Sequence, residues 1–63
     1  MKRVVCFIAA PDYAAAKNAA MSAANPYFER VGNSWGTQEV IMSEDSLAAV
    51  RAAGINVVVQ GPA

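Results

Sequence analysis

The sequence predicts an α+β domain in the order strand, helix, strand, strand, helix, strand. Three observations carry this. The run Val4-Val5-Cys6-Phe7-Ile8-Ala9 is almost wholly apolar, rich in β-branched and aromatic side chains, and stopped by Pro11. Such a run reads as a strand with both faces covered. Two alanine-bearing segments with helical start signals, opening at Pro11-Asp12 and at Ser43-Glu44-Asp45, supply the helices. Between them, the cluster Gly32-Asn33-Ser34-Trp35-Gly36 has the composition of a hairpin turn.

Taken in order, Val4 to Ala9 is the first and central strand. Pro11 suits the first turn of a helix, where its missing N–H costs nothing. Asp12 puts negative charge beside the positive end of the helix dipole. Tyr13 to Ala24 is dense in alanine and ends at Asn25-Pro26, because a residue before proline avoids helical geometry. Tyr13, Ala16, Ala20 and Ala24, with Met21 beside them, fall on one stripe. Lys17, Asn18 and Ser22 fall on the other side, toward water. The small residues of the stripe would let the helix approach a sheet closely.

Tyr27 to Val31 reads as a short strand, followed by a loop of about five residues and a strand from Thr37 to Met42. Ser43 is a good N-cap, with Glu44 and Asp45 in the first turn of the second helix. Leu47, Val50 and Ala53 form its apolar stripe. Gly54 stands where a left-handed terminating residue belongs, and Ile55 after it would touch Val50. Ile55 to Gln60 is the last strand, and Gly61-Pro62-Ala63 a tail.

This order matches the ferredoxin-like βαββαβ arrangement, a four-stranded antiparallel sheet with both helices on one face. The first and third strands are expected at the centre, running parallel, with the last strand beside the first. Side chains alternate across a strand. Val4, Cys6, Ile8, Val40, Met42, Ile55, Val57 and Val59 would then point to the helices. The uncovered face would carry Val5, Phe7, Ile41 and Val58, rimmed by Arg3, Glu39, Asn56 and Gln60. An apolar centre with a polar rim has the form of a contact surface. A one-residue register error would swap the faces, yet the first strand is apolar on both. The hairpin and the strand before it offer a second candidate surface: Tyr27, Arg30, Asn33 and Trp35. Trp35 could fold back onto the end of the core or anchor a contact. Of the neighbours Tyr27 and Phe28, only one can face the core.

Size adds to this demand for a partner. Sixty-three residues make one small domain, and small domains usually need a disulfide, a metal or another chain. The single Cys6 cannot form an internal disulfide, and one cysteine without any histidine cannot build a zinc site. The hydrophobic fraction of 56% lies above the usual ~45–50%, although much of the excess is alanine.

Several functions lack their equipment. Five basic and five acidic residues give zero net charge and no basic run, against nucleic-acid binding. Phe7 alone on the predicted open face does not make an RNA-stacking platform. No apolar stretch reaches the ~20 residues that span a bilayer. Met1-Lys2-Arg3 before an apolar run imitates a secretory signal, but the run stops at Pro11-Asp12, and cleavage would remove the best strand. A strand-embedded thiol fits a reducing, cytoplasmic setting. Cys6 lies mid-strand in a chain with no histidine to activate it, so it reads as a buried, inert thiol. Ser43 and Ser46 beside Glu44 and Asp45 read as helix capping, not catalysis. Those two acids are too few for a metal site, and Gly32 and Gly36 lack the lysine of a phosphate loop. No cofactor is expected.

The expectation is therefore a non-enzymatic interaction protein acting as a homodimer or docked on a larger protein. It would be a regulator, inhibitor or accessory subunit; an inhibitor encoded by a phage or mobile element is one instance. Second comes a small-molecule-binding regulatory domain with its ligand at a dimer interface. An enzyme or enzyme subunit comes third.

Overall fold

A computed structural model describes residues 2–63. It contains β1 (Arg3–Ala9), α1 (Tyr13–Met21), β2 (Phe28–Ser34), β3 (Thr37–Ser43), α2 (Glu44–Ala52) and β4 (Val58–Pro62), with a 3-10 turn at Ala10–Asp12 leading into α1. The strands form one sheet in the order β2-β3-β1-β4. Every neighbouring pair is antiparallel. This is the ferredoxin-like α+β fold.

The central pair departs from expectation: β1 and β3 are antiparallel, with Val5 opposite Ile41 and Phe7 opposite Glu39. The reason is topological. The α1 crossover returns β2 in the direction of β1, and the tight hairpin then reverses β3. The strand that slips between β1 and β2 must therefore run against both.

The core lies between the sheet and the two helices. Cys6, Ile8, Val40 and Met42 come from the strands; Ala16, Ala20, Leu47 and Val50 come from the helices. Val4, Tyr13, Phe28, Ile55 and Val57 pack around them. Tyr13 meets Phe28 in a tilted ring pair, 5.5 Å between centroids. Two alanines on α1 keep that helix close, so the core is thin.

Several boundaries differ from those the sequence predicts. Helix α1 stops at Met21, not Ala24. The Ala19 and Ala20 carbonyls that would have carried it on accept bonds from the hydroxyls of Ser22 (2.7 Å) and Ser46 (2.9 Å). Strand β2 begins at Phe28 and runs on to Ser34, through a bulge between Arg30 and Gly32. The hairpin loop is therefore two residues, Trp35 and Gly36, not about five. Both have positive φ, 50° and 80°, the pattern of a primed turn whose twist matches the strands. Strand β4 begins at Val58 and includes Gly61 and Pro62, which the sequence places in a tail. Residues 55–57 are used to leave α2, and the Ala63 N–H bonds to the Arg3 carbonyl at 3.0 Å.

Helix α2 follows its signals closely. The Ser43 hydroxyl accepts the Ser46 N–H at 3.1 Å. At the other end Gly54 (φ 80°) donates to the Arg51 carbonyl and Ile55 to that of Val50, the paired bonds of a Schellman cap.

Candidate functional site

Register and alternation decide what the uncovered face carries. Val5 lies opposite Ile41, and Phe7 lies opposite Val58. Directly paired residues share a face, and so do residues two apart on one strand. The four therefore form one contiguous apolar group across β3, β1 and β4. Val5, Phe7 and Ile41 are partly exposed, and Val58 is 65% exposed.

Polar groups flank this centre. The Arg3 guanidinium lies over the Tyr27 ring, 3.8 Å from its centroid. The Tyr27 hydroxyl donates to Glu29 Oε1 at 2.7 Å. That bond, with some desolvation and the nearby Glu29 charge, raises the Tyr27 pKa against a lowering by Arg3. Glu29 is opposite Ile41, and Glu39 is opposite both Phe7 and Gly32. Glu39 leans over β2: a Cβ on Gly32 would meet its Oε1 at 3.2 Å. Asn56 precedes β4. Gln60 sits in a bulge of that strand, where Cys6 pairs with Val59 and Val5 with Gly61.

The residues grouped with the hairpin are not brought together. Tyr27 joins the Arg3 end of the open face. Arg30 is opposite Val40, on the helix side, and its Nη1 donates to Gln38 Oε1 at 3.5 Å. Asn33 is opposite Gln38 on that same side. Trp35 stands at the turn, fully exposed; it does not fold back on the core.

Glu29 was missed by the sequence reading, because its place depends on Tyr27 lying outward. The bulge at Val31-Gly32 was also missed, although a glycine within a strand pattern is its usual signal.

The thiol and the two buried serine hydroxyls are not free for chemistry. Burial raises the Cys6 pKa, against a smaller lowering by Arg51, so the thiol stays protonated and sealed. The Ser43 hydroxyl donates to the Asn25 carbonyl at 2.6 Å, and Ser46 accepts the Tyr27 N–H at 3.0 Å. Among the described residues no group of three or more Asp, Glu, His or Cys is placed to hold a metal. Among them, too, no helix is long and apolar enough to cross a membrane.

Behind β4, on the helix side, Val59 is 36% exposed, not buried as its inward position implies. The helices pack chiefly on each other and on the other three strands. An open depression of about 680 Å³ remains there, lined by Lys2, Arg3, Val4, Glu44, Val59, Gly61, Pro62 and Ala63.

Fold and surface together define a small ferredoxin-like domain with one sheet face left bare. No protein-family model, curated protein or solved structure matches the chain.

Proposed function

We propose that this chain is a non-enzymatic interaction protein, a regulator, inhibitor or accessory subunit, whose open sheet face makes the contact. One observation carries the reading: the pairings Val5–Ile41 and Phe7–Val58 gather four apolar side chains on the face that no helix covers. Covering each fully would contribute roughly 1.5–3 kcal/mol before the losses of association. A thin core of small residues gives the fold reason to use that contribution. The non-enzymatic part is supported by a sealed Cys6 and by serine hydroxyls committed to backbone groups.

Light scattering over a concentration series, on wild type and Phe7→Glu, tests it together with capture of partners on each protein. The expected result is that Phe7→Glu loses association, with itself or with a larger protein, while its helical circular dichroism persists. A variant that folds and associates as wild type does would refute the reading. If Trp35→Ala alone removes association, the hairpin tip is the contact instead.

The depression behind β4 favours a second reading, a small-molecule regulatory site. Thermal shift against a metabolite panel tests it, and Val59→Glu should abolish any shift that Phe7→Glu leaves in place.

A further inference from the structure

The open face has a charge arrangement that suits one occupant in particular. Arg3 is opposite Ser43 and Glu39 opposite Phe7, so the two sit four residues apart along β1, about 13 Å at ~3.3 Å per residue. Both side chains bend the same way, toward β2. Arg3 lies over Tyr27, the residue just before that strand, and Glu39 lies over Gly32 further along it. Midway between them, on the centre line, are Val5 and Ile41. A cation and an anion thus stand on the same flank, equally far from an apolar midline.

We propose that a second copy of this chain covers the face, with strands reversed, about a two-fold axis crossing them at Val5 and Ile41. The inference rests on reading that face as a contact surface and adds its occupant and orientation. A two-fold interface is self-complementary, so whatever one copy presents at one end must be answered at the other. Reversal brings Arg3 of each copy onto Glu39 of its mate, giving two equivalent ion pairs. Val5 and Ile41 meet their own counterparts. Phe7 and Val58 fall against the strand ends at Arg3 and Ala63, where the sideways turn of Arg3 leaves β1 uncovered. Sheets packed face to face lie ~10 Å apart, within the joint reach of an arginine and a glutamate. Glu29 is the one carboxylate carried toward its own counterpart, at the β2 edge beside Ile41.

Charge reversal tests this directly. Sedimentation velocity on the 63-residue chain should show a reversible dimer that weakens with added salt. Arg3→Glu and Glu39→Arg should each weaken self-association roughly tenfold or more, since each sets like charges together twice. Mixed in equal amounts, these two variants should associate with each other more tightly than either does with itself; this rescue also proves both folded. Glu29→Gln should tighten the dimer. A wild type still monomeric at millimolar concentration overturns the second copy and leaves the contact-surface reading standing. A dimer broken by Phe7→Glu but indifferent to the charge reversals, or not rescued by mixing, overturns the orientation alone. A dimer untouched by Phe7→Glu overturns both.

Discussion

The Ser46 hydroxyl donates to the Ala20 carbonyl at 2.9 Å, joining the end of α1 to the first turn of α2. The same oxygen accepts the Tyr27 N–H, and Ser43 next to it caps Ser46 and bonds to the Asn25 carbonyl. Two buried serines thereby satisfy the backbone where α1, β2 and α2 converge. Ser46→Ala leaves the Tyr27 N–H without its partner and the Ala20 carbonyl with only the Ala23 N–H at 3.3 Å, which together cost about 2 kcal/mol. Ser43→Ala loses the cap and one further bond, about 1–2 kcal/mol. Urea unfolding of both variants checks the order. If Ser46→Ala proves neutral, the junction is held by packing instead.

Trp35 occupies a left-handed conformation that a bulky residue adopts at a cost of about 1–2 kcal/mol, and it is fully exposed. Its side chain contributes no buried surface in return. Trp35→Asn should therefore raise stability by roughly 0.5–1 kcal/mol, because asparagine is favoured at this position of a primed turn. Chemical denaturation measures the gain, and the wild-type indole should fluoresce as a fully solvated one. A stability loss in Trp35→Asn would mean that the indole packs on something in solution.

Much of this architecture was legible because local and global signals agree. Ser43, Glu44, Asp45 and Gly54 delimit α2 by backbone chemistry that needs no tertiary context. The alternation in Val4–Ala9 and Thr37–Met42 put Val5, Phe7 and Ile41 on the open face, where the structure has them. Val58 came out on that face although β4 starts three residues later than read, since a shift of a strand's limits leaves its alternation unchanged. What escaped depends on distant partners. Of the two hydroxyls that end α1 early, that of Ser22 is local, but the one that engages Ala20 comes from Ser46, across the fold, and is invisible locally. The two-residue turn was hidden because tryptophan is a poor indicator of positive φ. The direction of β3 relative to β1 followed from the crossover and hairpin together, not from any single segment.

Cys6 links stability to alkaline pH. Burial raises its pKa, so the folded chain holds a proton that the unfolded chain gives up. The stabilisation is whole below the unfolded-state value, about pH 8.5. It is lost as pH rises from there toward the folded value. Cys6→Ala should cost about 1 kcal/mol at neutral pH, through the small cavity left. It should also flatten the decline of thermal stability above about pH 8.5. The same decline in wild type and variant would assign it to other groups. Native Cys6 should resist alkylation until the chain unfolds, since none of it is exposed.

The demand for a cover has a thermodynamic signature that needs no substitution. A chain that folds alone has a midpoint temperature independent of its own concentration. A chain whose folded form pairs with itself gains stability by mass action. For a two-state dimer of this size, each tenfold rise in concentration should raise the midpoint by about 3–5 °C, given ~4–8 °C per kcal/mol. Phe7→Glu should abolish the dependence. Its midpoint should also fall below that of wild type when both are concentrated, and approach it on dilution, because the introduced carboxylate faces water in the monomer. Differential scanning calorimetry over two decades of concentration reads both effects. A flat wild-type midpoint would show that the exposed Val58 and its neighbours are covered by a different chain, or by none.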